Sequence, residues 1–82
     1  MLCMVNPRDE YIIKVVGLNL RKLRKGKGLT IFQLAELSNL EKITISRIER
    51  FQANPTISSL QQIAQGLGIS AYELLKDQNT AT

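Results

Sequence analysis

The segment from residue 42 to residue 50 carries the most specific side-chain chemistry in this sequence. A helix that buries Ile45 and Ile48 turns the other side chains of the segment outward, because helical residues three and four apart share a face. An outward arginine can donate two hydrogen bonds to guanine O6 and N7, a lysine can reach the same acceptors or a phosphate, and an isoleucine can contact a thymine methyl. This chemistry suits the reading of base edges in duplex DNA. The outward side chains are Lys42, Ile43, Ser46, Arg47 and Arg50.

A basic block precedes this segment. No acidic residue lies between Tyr11 and Ala35, and the rest of the 82-residue chain, whose total net charge is +4, is close to neutral. Such a block suits an anionic partner, either a nucleic acid or an acidic membrane surface, although a solvated helix face has the same composition. Lys42 and Arg47 could likewise belong to a solvated helix face, in which case they would only make a surface helix soluble. The cations of the block are Lys14, Arg21, Lys22, Arg24, Lys25 and Lys27.

The composition excludes several kinds of site. The sequence has no histidine and a single cysteine, Cys3. It therefore offers no disulfide, zinc finger, imidazole base or Cys–His nucleophile, and we expect no enzyme activity, metal, cofactor or small-molecule substrate. No segment approaches the roughly 20 apolar residues of a membrane span, and residues 1–5 are too short for a signal peptide. A lone thiol without an export signal predicts a cytoplasmic protein.

Turn and cap signals divide the chain into five helices around one core, so the predicted fold class is all-α. We expect an N-terminal extension over 1–8, one domain over 9–76 and a flexible tail over 77–82. The predicted boundaries are the Asn6-Pro7 start and Gly26-Lys27-Gly28 stop of the first helix, the Thr30/Gln33 capping box and Ser38-Asn39 stop of the second, a third helix from about Glu41 to Arg50, the Thr56 cap and Gly68 stop of the fourth, and a Ser70/Glu73 capping box for the fifth.

The second and third predicted helices meet across a turn of about four residues, 38–41. Ala35 lies where the two helices should cross, and its small side chain lets their backbones approach. Asn39 occupies the position that needs a left-handed backbone, which asparagine tolerates better than most residues. Two short helices joined in this way predict a helix-turn-helix at the centre of the fold.

Several short motifs occur in order along the chain. They are Gly28-Leu29-Thr30, Gln33-Leu34-Ala35, Ile45-Ser46-Arg47-Ile48-Glu49-Arg50, Asn54-Pro55 and Leu67-Gly68-Ile69-Ser70. Together they resemble the Cro-type, lambda-repressor-like helix-turn-helix domain of the XRE family, over about Val16 to Leu75. The resemblance implies a five-helix lambda-repressor-like bundle that binds double-stranded DNA, generally as a two-fold homodimer. Many small members are repressors or autoregulators of bacterial or phage type, including antitoxins and restriction–modification controllers.

This resemblance implies a sequence-specific transcription regulator, nucleoid-associated when bound, that reads an inverted-repeat operator as a dimer through the major groove. Arg24 and Glu49 match the positions of the family's internal ion pair, which ties the first helix to the third. We expect base reading by Lys42, Ile43, Ser46 and Arg47. The expected phosphate contacts are Arg21, Lys22, Lys25, Lys27, Thr30, Gln33, Arg50, Asn54 and Thr56.

Four positions depart from the family pattern. Ile31 replaces a glutamine that commonly holds a phosphate, Phe32 is apolar at a position that is usually exposed, Glu41 replaces a capping serine or threonine, and Phe51 replaces a glycine. An apolar patch would form from Ile31, Phe32, Ile43 and Phe51 together. Such a patch favours the alternative function, an antitoxin-like or other module whose main ligand is a partner protein, although scattered surface hydrophobes are common. The expected dimer contacts are Tyr72 and Leu75 of the fifth helix, with residues 2–5.

Overall fold

The computed structural model describes residues 7–77, and every regular element among them is an α-helix. The predicted all-α class is therefore confirmed. Most of the predicted tail and most of the predicted N-terminal extension lie outside the described residues. The helices are α1 (Pro7–Gly26), α2 (Ile31–Ser38), α3 (Lys42–Glu49), α4 (Ile57–Leu67) and α5 (Tyr72–Leu75).

The cap signals determine where most of these helices begin and end. Thr30 Oγ1 accepts from the Gln33 amide at 3.0 Å, and Gln33 Oε1 accepts from the Thr30 amide at 2.9 Å, which completes the predicted capping box of α2. Thr56 Oγ1 accepts from the Ser59 amide at 3.0 Å at the start of α4. Gly68 ends α4 with a left-handed backbone at φ 73°.

Two predicted helix boundaries need correction. The Ser70/Glu73 capping box is wrong, because α5 begins only at Tyr72 and its N-cap, Ala71, has no side-chain acceptor. Ser70 Oγ instead accepts from the Tyr72 amide at 3.2 Å, and the Glu73 carboxylate lies 3.5 Å from Lys76 Nζ. The third helix is also one residue shorter at each end than predicted, because Glu41 and Arg50 are its cap residues.

One hydrophobic core holds the five helices together. Leu20, Leu34, Ile45, Ile63 and Leu74 come one from each helix and are all fully buried. Burial of such side chains stabilises a fold by about 1.5–3 kcal/mol each, before the entropy of ordering the chain is subtracted. The core therefore joins α2 and α3 to all the other helices, which fixes the helix-turn-helix in a rigid frame.

The long helix α1 supports both α3 and α5. A Cβ atom on Gly17 would lie 2.6 Å from the Ile48 carbonyl oxygen, so the absence of a side chain lets the backbones of α1 and α3 approach each other closely. On another side of α1, the buried Asn19 amide group donates to the Leu74 carbonyl at 2.9 Å and to the Lys76 carbonyl at 2.7 Å. These bonds satisfy carbonyls at the C-terminal end of α5 and hold this short helix against α1.

Candidate nucleic-acid interface

The turn between α2 and α3 has the predicted conformation. Asn39 adopts a left-handed backbone at φ 58°, and the Leu40 amide donates back to the Ala35 carbonyl at 3.0 Å. This closes the C-terminal end of α2 in the manner of a Schellman motif and sends the chain directly into α3. Ala35 is buried, as a close crossing of the two helices requires.

Helix α3 has one buried face and one exposed face. Ile45 and Ile48 are buried, whereas Lys42, Ile43 and Arg47 are exposed and Ser46 is half-buried. The structure thus brings all four predicted base-reading residues to the side of α3 that faces away from the core. Arg50, the C-cap residue, is exposed as well.

The N-terminal end of α3 is not closed by a side chain. Glu41 is the N-cap residue, it is exposed, and it makes no capping hydrogen bond. The first amides of α3 therefore receive no acceptor from the Glu41 side chain, and the helix dipole gives this end of the helix a positive potential. The Glu41 carboxylate opposes that potential for an approaching phosphate.

An ion pair beneath α3 fixes its position. Arg24 Nε donates to Glu49 Oε2 at 2.6 Å and Arg24 Nη2 donates to Glu49 Oε1 at 3.0 Å, with both residues buried. Arg24 Nη1 also donates to the Leu29 carbonyl at 2.8 Å, just before the cap of α2. The hydrogen bond to Glu49 raises the pKa of Arg24, burial acts in the opposite direction, and the Glu49 charge adds a further increase. Arg24 is therefore a structural cation that ties α1, α2 and α3 together.

The residues predicted to contact phosphate differ in what they can donate. In the capping box of α2, Thr30 and Gln33 both use acceptor atoms, which leaves the Thr30 hydroxyl proton and the Gln33 Nε2 protons available at an exposed position. Thr56 differs, because its hydroxyl donates to Ser59 Oγ at 3.0 Å while it caps α4. The Thr56 side chain would have to give up that bond to donate to a phosphate.

The other predicted phosphate contacts lie on the surface. Arg21 and Lys25 are one helical turn apart on α1 and share a face, and Lys27 follows α1 in the loop to α2. Lys22 lies on a neighbouring side of α1, and Asn54 lies in the loop before α4. The structure leaves all five side chains exposed.

The four residues of the predicted apolar patch do not share one environment. Phe32 and Ile43 are exposed, but Ile31 is half-buried and packs against the core. Phe51 adopts a left-handed backbone at φ 64°, and its ring lies so close to Gly17 that a Cβ there would be 2.7 Å from Cδ1. A left-handed backbone costs a residue with a side chain about 1–2 kcal/mol, which the packing of the ring on α1 offsets. Phe51 is 39% exposed, so part of its ring packs on α1 while the rest faces solvent.

Within residues 7–77, no helix is long and apolar enough to cross a membrane. Nor do these residues contain a group of three or more His, Cys, Asp or Glu side chains placed to hold a metal ion.

Comparison with known proteins identifies the family. Residues 20–74 match the model of the helix-turn-helix family. The chain is 40% identical over 62 residues to an uncharacterized HTH-type transcriptional regulator, y4dJ, from Sinorhizobium fredii, covering 76% of this chain and 80% of the relative. It is 36% identical over 63 residues to the immunity repressor protein of Bacillus phage phi105, covering 77% of this chain but 44% of that repressor.

Solved structures agree with this match. The restriction-modification controller protein C.AhdI from Aeromonas hydrophila superposes with a TM-score of 0.74 at 35% identity, over 76% of this chain and 94% of the controller. A hypothetical transcription factor from Neisseria superposes with a TM-score of 0.80 at 29% identity, over 96% of this chain and 90% of the factor. The chain belongs to the helix-turn-helix family of DNA-binding transcription regulators, and the resemblance to the XRE family is confirmed. Regulators of this family are generally not enzymes.

The ion pair beneath α3 yields a stability prediction. Glu49→Ala leaves the Arg24 charge buried without a partner and should lower the free energy of unfolding by about 3–5 kcal/mol. The double variant Arg24→Met/Glu49→Leu removes both charges and should lose less than Glu49→Ala alone. Urea unfolding followed by circular dichroism measures both, with the exposed Glu36→Ala as the control, expected within about 0.5 kcal/mol of the parent. A Glu49→Ala variant as stable as Glu36→Ala would contradict the structural role of the pair.

Proposed function

We propose that this protein is a repressor or autoregulator that binds a specific inverted-repeat operator in double-stranded DNA as a homodimer, acting in the cytoplasm on the nucleoid. The observation that carries the proposal is the outer face of α3, where Lys42, Ile43, Ser46 and Arg47 lie along a helix that is fixed from below. Relatives named as an immunity repressor and as a restriction-modification controller support this class of regulator.

Sequence preference comes from four side chains of α3 that enter the major groove. Arg47 donates in bidentate fashion to guanine O6 and N7, and Lys42 donates to the same kind of acceptor or to a phosphate. Ile43 has no hydrogen-bonding group, so it contacts a thymine methyl. Ser46 is half-buried and can reach only a base that lies close to the helix axis.

Phosphate contacts place α3 in the groove without reading the sequence. The proton donors that the α2 capping box leaves available, on Thr30 and Gln33, bind one phosphate at the N-terminal end of α2. Arg50 and Asn54 bind the backbone beyond the other end of α3, as does Thr56 once its hydroxyl turns away from Ser59. The exposed cations near the C-terminal end of α1 add electrostatic attraction; they are Arg21, Lys22, Lys25 and Lys27.

A homodimer doubles the length of DNA that is read. One α3 covers one half-site, and a two-fold dimer reads two half-sites about one DNA turn apart, roughly 34 Å. The operator is therefore an inverted repeat.

Selection from a random duplex library tests the proposal. We expect enrichment of an inverted repeat, and binding of the winners should weaken steeply with salt, by about 10³–10⁵ between 50 and 200 mM for 6–10 phosphate contacts. Equal affinity for every duplex would contradict sequence-specific regulation. An enriched single half-site with no repeat would contradict the dimer but not the role of α3.

Arg47→Ala separates base reading from phosphate binding. At the selected operator this variant should lose about 1–3 kcal/mol of binding free energy and relax the preference at one base pair of each half-site, because a bidentate contact to guanine is gone. Lys25→Ala is the matched control, since it should weaken binding to all sequences alike and reduce the salt slope by about 1. Fluorescence-anisotropy titrations on the operator and its single-base variants measure both. A uniform loss with Arg47→Ala would make Arg47 a phosphate contact.

A further inference from the structure

Glu41 is a charged residue whose side chain the fold does not use. Its carbonyl oxygen starts α3 by accepting from the Thr44 amide at 3.0 Å and from the Ile45 amide at 3.4 Å. Its backbone is extended, at φ −78° and ψ 148°, which takes the side chain away from the face that Ile45 buries four residues later. The carboxylate is exposed and makes no capping hydrogen bond, so it lies at the N-terminal tip of α3 without a structural task.

The surroundings of Glu41 do not neutralise its charge. Neither of the two ion pairs within residues 7–77 includes it. A shallow hollow lies beside the turn between α2 and α3, and the two charged side chains that line it, Glu36 and Glu41, are both acidic. Glu41 thus presents a full negative charge on the helix-turn-helix of a chain whose net charge is +4.

The tip of α3 is the part of this helix that comes nearest to the bases in the proposed complex. Helix-turn-helix proteins contact base edges with the N-terminal residues of the second helix of the motif. Lys42 and Ile43, the first two residues of α3, are exposed directly after Glu41. A helix that brings these two side chains to the base edges brings the Glu41 carboxylate with them.

A carboxylate in the major groove can bind only a base that donates a hydrogen bond. Guanine presents O6 and N7, and thymine presents O4, all of which are acceptors that repel it. Adenine donates from N6 but places the N7 acceptor beside that donor. Cytosine donates from N4 and has no acceptor of its own in the major groove, so it is the base that suits a carboxylate best.

We infer that Glu41 is a further specificity-determining residue, whose carboxylate accepts a hydrogen bond from cytosine N4 in each half-site. The inference rests on the proposed function and adds a residue that selects a donor to Lys42 and Arg47, which select acceptors. Glu41 also repels phosphates, so it weakens binding to every duplex that lacks the cytosine. It therefore raises the ratio of specific to non-specific binding rather than the affinity itself.

A matched pair of glutamine substitutions tests this role. Glu41→Gln and Glu36→Gln each remove one negative charge from an exposed residue beside the same hollow. Fluorescence-anisotropy titrations on the selected operator and its single-base variants should show that the parent chain prefers cytosine about tenfold at one base pair of each half-site, equivalent to about 1.4 kcal/mol. Glu41→Gln should lose this preference and favour adenine there, because an amide both accepts and donates.

Glu36→Gln should keep the cytosine preference, because only the charge near the hollow changes. Both variants should bind an unrelated duplex slightly more tightly than the parent, since each has lost one charge that repels phosphate. Thermal melting followed by circular dichroism establishes that both remain folded.

The outcomes separate this inference from the proposed function. An operator whose base preferences Glu41→Gln leaves unchanged overturns the inference, even if the affinity rises for all duplexes, and the base-reading role of the rest of α3 then stands. Loss of the same preference in Glu36→Gln also overturns it, because the effect would come from charge alone. A parent chain that binds all duplexes equally contradicts the proposed function, and the inference fails with it.

Discussion

The contact between Arg24 and Glu49 is the interaction on which the position of α3 depends. A single guanidinium holds the carboxylate near the end of α3 and the Leu29 carbonyl just before α2, while its own backbone belongs to α1. Because both charged groups are buried, loss of either one would leave the other as an unpaired buried charge, which is strongly destabilising. Arg24 therefore holds α1, α3 and the loop before α2 together, and its donors are already engaged within the protein.

Helix α1 connects this frame to the rest of the molecule. Gly17 lets it approach α3 closely, and Asn19, on another side, holds the end of α5. Cations near its C-terminal end, among them Arg21 and Lys25, are exposed. The same helix thus supports α3 on one side and α5 on another.

Local signals in the sequence predicted most of this fold. The capping box at Thr30 and the left-handed turn at Asn39 depend on residues a few positions apart, so the sequence alone could identify them. The hydrogen bonds from Asn19 to α5 and the contact of the Phe51 ring with Gly17 depend on segments that are far apart in the sequence. No local sequence pattern predicts them. At Ser70 a local pattern gave a wrong prediction. Its spacing to Glu73 matches a capping box, but α5 begins only at Tyr72.

The candidate site also has some features that local sequence predicts and others that only the fold reveals. Helical periodicity was enough to predict which side chains of α3 face outward, because burial of Ile45 and Ile48 settles the orientation of their neighbours. The resemblance to the family supplied the pairing of Arg24 with Glu49, which spans 25 positions of the chain. That Thr56 already donates to Ser59 could be known only from the folded geometry.

The central claim is that α3 of each subunit lies in the major groove of one half-site. Methylation interference on the selected operator tests it directly, because guanine N7 lies in the major groove and adenine N3 in the minor groove. We expect interference at guanine N7 in two clusters on one face of the duplex, about one helical turn apart, and loss of the effect at the guanine read by Arg47 in the Arg47→Ala variant. Interference confined to adenine N3, or a single cluster of guanines, would contradict the account.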